Sequence, residues 1–377
     1  MNNFQFQNPT ELIFGKGQIA KISTKIPKSA RVLITYGGGS IFKNGVYDSV
    51  KEALKDHVTI EFGGIEANPD YSTLCKAIEL AKAEKVDFIL AVGGGSVLDG
   101  TKFIAAAMNY AGDPWEFILD GSKVSPAMAF GSVLTLPATG SEMNCGAVIS
   151  RRETQEKYAF HNPQGFPLFS VLDPEVCFSL PKRQVANGIV DIFAHTLEQY
   201  LTVDGKTMVM DRWAEGILQT LVELAPKLMS DKASYDDMAN FMLAATMGLN
   251  GFIAMGTTQD WATHMIGHEL TALHGLDHGV TLSIVYPGVM SVMQEAKKAK
   301  LAQYGERVWG VATVNETIAK TEEFFRSLGI LTRLSEHNIT DATIIEVTKR
   351  FADRKMNIGE GGIVTPDKVK AILEFVM

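Results

Sequence analysis

Four of the eight histidines in the 377-residue chain fall within a 15-residue stretch: His264, His268, His274 and His278. If this stretch is helical, His264 and His268 are four residues apart and share a face, which is a common geometry for two imidazoles that bind one metal ion. Asp191 and His195 repeat the same spacing on an earlier predicted helix. A lone histidine is more often a hydrogen-bonded or surface side chain, but the joint pattern indicates a metal site.

The stretch after His268 does not match the helix motif of zinc metalloproteases, because the next histidine, His274, is six rather than four residues on. A hydrolase is therefore not favoured. Glycines at positions 275 and 279 predict a turn that would return His278 toward the helix of His264.

Two predicted strands run directly into glycine clusters. The first cluster consists of Gly37, Gly38, Gly39 and Ser40, and the second of Gly93, Gly94, Gly95 and Ser96. Where a strand hands over to a helix, glycines let the backbone approach a phosphate, and the helix N-terminus favours its negative charge. Neither cluster has the G-x-G-x-x-G spacing. Tight turns that bind nothing are the alternative, but two clusters in one half of the chain favour a dinucleotide site.

The residue types of the first cluster favour NADP(H) over NAD(H). If the second cluster holds the pyrophosphate, the first lies where the adenosine ribose is expected, and NAD-specific sites usually have a carboxylate there. In this chain the loop amides, the Ser40 hydroxyl and the nearby Lys43 could instead receive a 2'-phosphate, which a carboxylate would repel.

The periodicity of the chain changes near residue 178. Before it, short β-rich runs alternate with helical patterns, which predicts a parallel sheet covered on both faces. The predicted strands are 31–36, 58–62, 86–92, 132–136 and 168–172, and the predicted helices are 41–55, 72–84 and 96–108. After it, helical patterns dominate: 183–201, 211–228, 235–249, 260–273, 280–296, 299–309, 315–328, 341–353 and 366–376. We expect an α/β dinucleotide-binding domain at 1–178 and an all-α metal-binding and catalytic domain at 179–377.

Composition limits the partners. A net charge of -8 argues against nucleic acid. The three cysteines, Cys75, Cys145 and Cys177, show no C-x-x-C pair and favour a reducing cytoplasm. No secretion signal and no membrane-spanning apolar run is recognised. We expect a cytoplasmic homodimer that binds a small molecule.

These patterns resemble the iron-containing alcohol dehydrogenases (group III) over nearly the whole chain. Residues 9–17, PTELIFGKG, look like the N-terminal strand of that family, and residues 94–99, GGSVLD, resemble its pyrophosphate loop. Residues 191–198, DIFAHTLE, resemble its D-x-x-x-H-x-x-E helix, and His264 with His278 reproduces the spacing of its last two ligands. The family has a dehydroquinate synthase-like architecture.

The resemblance implies a set of site residues. The implied metal ligands are Asp191, His195, His264 and His278, and the implied ion is Fe²⁺ or Zn²⁺. The Gly-Gly-Gly-Ser loop at 37–40 is similar to that of the NADPH-dependent aldehyde reductase and butanol dehydrogenase branch. The resemblance implies cofactor contacts at Gly94, Gly95, Ser96 and Asp99 of the second loop. It implies further cofactor contacts at Asn68, Thr135, Thr139 and Lys157. The turn at 137–142 is shorter than in many members, so contacts there transfer least safely.

His268 fits three roles. Its spacing from His264 would allow it to be a second metal ligand on the same helix. In the family that the chain resembles, however, the position four residues after the third ligand faces the nicotinamide. We expect His268 to orient the cofactor or relay a proton, since its unperturbed pKa of about 6.5 is close to working pH. The third reading is a hydrogen-bonded residue of the helix face.

Together these features predict metal-dependent hydride transfer between NADPH and short- to medium-chain aldehydes or alcohols. Three alternatives remain: a glycerol dehydrogenase-like polyol oxidoreductase, a dehydroquinate synthase-like lyase, and a metal and nucleotide sensor without turnover.

Overall fold

The computed structural model describes residues 1–203 and 206–377. They form two compact units. The sheet unit comprises Gln7–Pro181 and Ser234–Thr246, and the helical unit comprises Met1–Phe6, Lys182–Ala233 and Met247–Met377. The division of the chain at residue 178 into a dinucleotide-binding domain and a metal-binding domain stays a prediction.

The sheet unit is built on six parallel strands in the order β1-β8-β5-β4-β2-β3. These strands are β1 Glu11–Phe14, β2 Arg31–Tyr36, β3 Val58–Phe62, β4 Phe88–Gly94, β5 Phe130–Leu136 and β8 Phe169–Leu172. Every residue of β8 and all but the last residue of β4 and β5 are buried, as expected for strands covered on both faces. The five strands predicted from periodicity and the N-terminal strand implied by the family resemblance are all present.

An antiparallel hairpin of β6 Gly146–Arg151 and β7 Glu156–His161 was not predicted. Its strands contain Arg151, Glu156 and Lys157 and lack the continuous apolar character of the buried strands. The hairpin carries Lys157, one of the expected cofactor contacts, on β7.

The first half of the chain contributes five helices to the sheet unit: α1 Ile22–Lys25, α2 Val46–Ala53, α3 Tyr71–Ala83, α4 Gly95–Met108 and α5 Trp115–Leu119. Residues 235–246 of a later helix also belong to this unit. The helix predicted at 41–55 is present but shorter than predicted. A 3-10 turn at Ser40–Phe42 precedes α2, and Gly45 interrupts the pattern in a left-handed conformation with φ 78°. This conformation suits glycine and ends a continuous helix.

Longer helices fill the second half of the chain: α6 Lys182–Tyr200, α7 Met208–Leu228, α8 Tyr235–Gly248, α9 Ala262–His274, α10 His278–Val292, α11 Lys298–Tyr304, α12 Val314–Ser327, α13 Asp341–Asp353 and α14 Pro366–Phe375. The predicted fold class, a parallel α/β half followed by a helical half, is confirmed. Most boundaries differ by a few residues from the predicted ones. For example, α10 begins at His278 rather than at residue 280, and α11 ends at Tyr304, where a π-helical turn, Gly305–Trp309, follows it. In the described part of the chain, no helix combines the length and apolar character that a bilayer crossing requires.

The start of α10 is fixed against α6 by a polar clamp and a close backbone contact. Asp277 accepts two hydrogen bonds of 2.7 Å from the Arg183 guanidinium and one of 2.7 Å from the Asn187 amide. At Gly279, a Cβ atom would lie 2.7 Å from the backbone oxygen of Asn187. Because backbone atoms of α6 cannot yield as a flexible side chain would, only glycine lets α10 start this close.

We expect Gly279→Ala to destabilise the helical unit by about 1 to 3 kcal/mol, because the added methyl group overpacks the contact with α6. Urea unfolding measures this. The matched control is Gly216→Ala in the interior of α7, where a Cβ atom would meet nothing within 4 Å. It should be neutral or stabilising by about 0.5 to 1 kcal/mol. Equal midpoints for Gly279→Ala and the unmodified chain would contradict the close-contact argument.

Candidate active site

Three helices of the helical unit bring the four expected metal ligands together. Asp191 and His195 lie one turn apart on α6, His264 lies in the first turn of α9, and His278 is the first residue of α10. Gly275 ends α9 with φ 68°, a left-handed C-cap that reverses the chain between His264 and His278. The turn expected from the glycine pattern is therefore present.

The four ligand atoms form one compact group. They all lie within 4.8 Å of one another. One carboxylate oxygen of Asp191, Oδ1, is 3.6 Å from Nε2 of His195, 3.9 Å from Nε2 of His264 and 3.4 Å from Nε2 of His278. A tetrahedral ion with bonds of about 2.1 Å separates its ligand atoms by about 3.4 Å. The spacing therefore suits a single bound cation.

The chemistry of these atoms also suits a cation. The side chain of Asp191 is 4% exposed and that of His264 is 6% exposed. Nε2 of His264 is buried and has no hydrogen-bond partner within the described ranges. A buried acceptor without a partner costs free energy unless a ligand satisfies it. Oxygen and nitrogen donors without thiolate fit Fe²⁺, Zn²⁺, Mn²⁺ or Ni²⁺.

His268 lies beside this group on the same face of α9 as His264. Its ring centroid is 6.5 Å from that of His264 and 5.5 Å from that of His278. The side chain is buried. The compact group of candidate ligands does not include His268.

The two glycine clusters lie at the same edge of the sheet, because β2 and β4 are adjacent parallel strands. A Cβ atom on Gly37 would be 3.6 Å from Val97 in the first turn of α4, so the clusters are neighbours. Gly39 adopts φ 92° and leads into the 3-10 turn that starts at Ser40. Carboxyl ends of parallel strands are where open α/β sheets bind nucleotides.

Asn68, Ser96 and Lys157 meet at this edge from three different segments. The backbone N–H of Asn68 donates to Oγ of Ser96 over 3.3 Å, and Nζ of Lys157 donates to Oδ1 of Asn68 over 2.8 Å. Asn68 adopts the left-handed conformation with φ 56°. The buried Lys157 therefore adds a positive charge beside the start of α4, where the helix dipole also favours an anion.

Thr135 and Thr139 lie at the end of β5 and in the turn that follows it. Since β5 pairs with β4, this turn lies next to the second glycine cluster. A Cβ atom on Gly95 would be 2.4 Å from the side chain of Thr139. The absence of a side chain at Gly95 is thus what lets the β5 turn cover the first residue of α4.

Asp99, in the second turn of α4, is buried. Its carboxylate accepts hydrogen bonds from Oγ of Ser141 (2.6 Å) and from the backbone N–H of Val148 (2.9 Å). These contacts tie the β5 turn and the hairpin to α4. Nearby Lys102 donates to Oδ1 of Asn144 over 2.8 Å, and burial lowers the pKa of its ammonium group to about 8.

Sequence reasoning missed two neighbours of the metal position. Trp261 places its ring centroid 5.0 Å from that of His264, and Glu198 accepts a hydrogen bond from Nδ1 of the same histidine over 3.1 Å. Glu198 stood in the D-x-x-x-H-x-x-E pattern without an assigned role. Nothing in the local pattern around residue 261 marks the tryptophan.

Two family models together match almost the whole chain. The model described as iron-containing alcohol dehydrogenase matches residues 9–174, and that of the C-terminal region of the Fe-containing alcohol dehydrogenase family matches residues 185–377.

Individual relatives agree with these matches. The NADPH-dependent aldehyde reductase YqhD of Escherichia coli is 52% identical, and the alignment covers 99% of each chain. The NADP-dependent alcohol dehydrogenase 3 of Entamoeba histolytica is 45% identical over 89% of each chain. The crystal structure of NADH-dependent butanol dehydrogenase A from Thermotoga maritima superposes with a TM-score of 0.95 at 34% identity, covering 100% of this chain and 99% of that one. The chain therefore belongs to the iron-containing alcohol dehydrogenase family.

Proposed function

We propose that this protein is a metal-dependent aldehyde reductase and alcohol dehydrogenase that uses NADP(H). The observation that carries the proposal is the convergence of Asp191, His195, His264 and His278 on one position. The glycine-rich edge of the parallel sheet supports the proposal that a dinucleotide binds. The name of the E. coli relative, a reductase of aldehydes with NADPH, supports the choice of substrate class and coenzyme.

One unit of the chain would bind the metal ion and the other would bind the coenzyme. In the helical unit, the four proposed ligands would hold one divalent ion, Fe²⁺ or Zn²⁺. In the sheet unit, the proposed cofactor residues are Gly37, Gly38, Gly39, Ser40, Asn68, Gly94, Gly95, Ser96, Asp99, Thr135, Thr139 and Lys157. When bound, the ion would act as a Lewis acid toward the aldehyde oxygen and NADPH would supply the hydride.

The test of this function is an assay of NADPH consumption over aldehydes of increasing chain length, with metal content measured on the same sample. We expect turnover that a strong chelator abolishes and that added Fe²⁺ or Zn²⁺ restores. Full activity in metal-free protein would reject the Lewis-acid role. Activity confined to polyols, or no net use of NADPH, would favour the polyol or lyase alternatives.

Coenzyme preference provides a separate prediction at Gly38. This residue is exposed, lacks a positive φ and has open space where a side chain would be, so substitution should not distort the loop. Gly37 is less suitable, because its Cβ would lie 3.2 Å from the backbone oxygen of Ile65. Gly38→Asp should lower the kcat/KM ratio of NADPH to NADH by about tenfold or more, because the carboxylate repels a 2'-phosphate.

The control is Gly38→Ala, which changes the glycine without adding charge and should keep the preference for NADPH. An unmodified enzyme with equal kcat/KM for both coenzymes would contradict the assignment to NADP(H).

We propose that His268 moves a proton or orients the cofactor rather than binding the metal. Its buried position beside His264 and His278 supports this role. His268→Ala should keep metal and lower kcat by about 10²-fold or more. His274→Ala is the matched control on the same helix, since its imidazole hydrogen-bonds Thr343 instead. Loss of metal in His268→Ala, or a near-normal kcat with metal retained, would contradict the proposed role.

We also propose a homodimer. Exposed apolar side chains of the N-terminal arm and α7 gather around Phe252, where the Trp213 ring stacks at 3.8 Å and the Phe6 ring lies at 6.1 Å. Trp213 is 40% exposed and Val209, one turn before it, is 52% exposed. Apolar surface of this kind supports association with a second copy. Light scattering should give twice the chain mass, and a monomer would contradict the proposal. A cytoplasmic location stays the expectation from the cysteine pattern.

A further inference from the structure

The carboxylate of Glu198 lies on α6 behind the candidate metal position. Its side chain is 1% exposed. Oε1 accepts hydrogen bonds from both the backbone N–H and Nδ1 of His264, each over 3.1 Å, and Oε2 accepts one from the backbone N–H of Trp261 over 3.0 Å. Three donors from the start of α9 therefore converge on a single carboxylate.

This contact determines which nitrogen of His264 faces the metal position. A carboxylate oxygen only accepts hydrogen bonds, so Nδ1 of His264 carries the proton in this contact. The lone pair of a neutral ring is then on Nε2, the atom that lies 3.9 Å from Oδ1 of Asp191. Glu198 thus selects the tautomer that a metal ligand needs.

The same carboxylate stabilises an unusual backbone conformation. Trp261 precedes α9 with φ 66°, in the left-handed region, which is energetically unfavourable for bulky side chains. The hydrogen bond to Glu198 offsets part of this cost. In this conformation the indole ring lies 6.0 Å from the ring of His195, so the strained turn also forms a wall of the metal position.

The fold of this segment has supports other than Glu198. Asp260 accepts a hydrogen bond of 2.6 Å from the buried Lys297 ammonium and another from the backbone N–H of Glu360. Lys297 also donates to the backbone oxygen of Leu201, just beyond α6. The path of the chain into α9 is therefore held by Asp260 and Lys297, whereas the Glu198 carboxylate is directed at His264 and Trp261.

We propose that Glu198 is a positioning residue of the metal centre, which fixes the tautomer and orientation of His264. The inference rests on the proposed metal site. Carboxylates that accept the second ring N–H of a histidine ligand act in this way, and their loss typically weakens metal binding about 10- to 100-fold.

The experiment measures Zn²⁺ affinity of the metal-stripped full chain by competition with a chromophoric chelator, without coenzyme or substrate. Glu198→Gln is nearly isosteric but removes the charge and one acceptor, so we expect binding about 10- to 100-fold weaker than in the unmodified protein. The d–d spectrum of Co²⁺-loaded protein should change as well, since the orientation of one ligand changes. Glu198→Asp, which keeps the charge but withdraws it by one methylene group, should be intermediate.

The matched control is Glu215→Gln. Glu215 is a similarly buried carboxylate of the helical unit, bonded to the Tyr200 hydroxyl and to Arg307 over 2.8 Å each, and it is not a candidate ligand. We expect this variant to lower the unfolding midpoint while leaving Zn²⁺ affinity within about threefold of the original.

The outcomes separate the two proposals. Folded Glu198→Gln and Glu198→Asp proteins that bind Zn²⁺ as tightly as the original would overturn the role of Glu198 while leaving the metal site intact. An equal loss of affinity in Glu215→Gln would also overturn it, because the effect would then be a general one of buried charge. Failure of the unmodified protein to bind Zn²⁺ or Co²⁺ would reject the metal site itself.

Discussion

The helical unit depends on holding a carboxylate and three imidazoles together away from water. Burial of the Asp191 carboxylate carries a desolvation free energy, which only cationic or hydrogen-bonding partners close to it can offset. Each ligand-bearing helix end is therefore fixed by contacts that do not involve the ligands themselves. Asp277 with Arg183 fixes the start of α10, and Asp260 with Lys297 fixes the entry to α9. The positions of α6, α9 and α10 follow from this requirement.

The sheet unit meets a different constraint, because its glycine-rich edge must present backbone N–H groups without obstruction. The space beside these glycines is filled by side chains of neighbouring residues. Thr139 lies against Gly95, and Val97 lies beside Gly37. Lys157 places an ammonium group at this edge, where it donates a hydrogen bond to Asn68 over 2.8 Å. A nucleotide phosphate would meet this positive charge and several backbone dipoles.

Local patterns predicted much of this molecule, and the reason is physical. His264 and His268 are one helical turn apart, and the glycines at 37–39 follow a run of apolar strand residues, so periodicity alone places them. The hairpin that carries Lys157 was missed because its strands mix charged and apolar residues. Glu198 lies 66 residues from His264 in sequence, and the hydrogen bond between them arises only from the packing of α6 on α9. The same holds for the contact between Gly279 and Asn187. Contacts of this kind follow from tertiary structure and leave no periodic trace.

The confinement of all four candidate ligands to the helical unit has an evolutionary consequence. The candidate metal ligands and the proposed coenzyme residues belong to different units of the chain, so substitutions that affect one set need not touch the other. Either property can then drift under selection while the other is conserved. Two relatives do differ in coenzyme, since one is named for NADPH and another for NADH. Selection could therefore change coenzyme preference without altering the residues that would hold the metal.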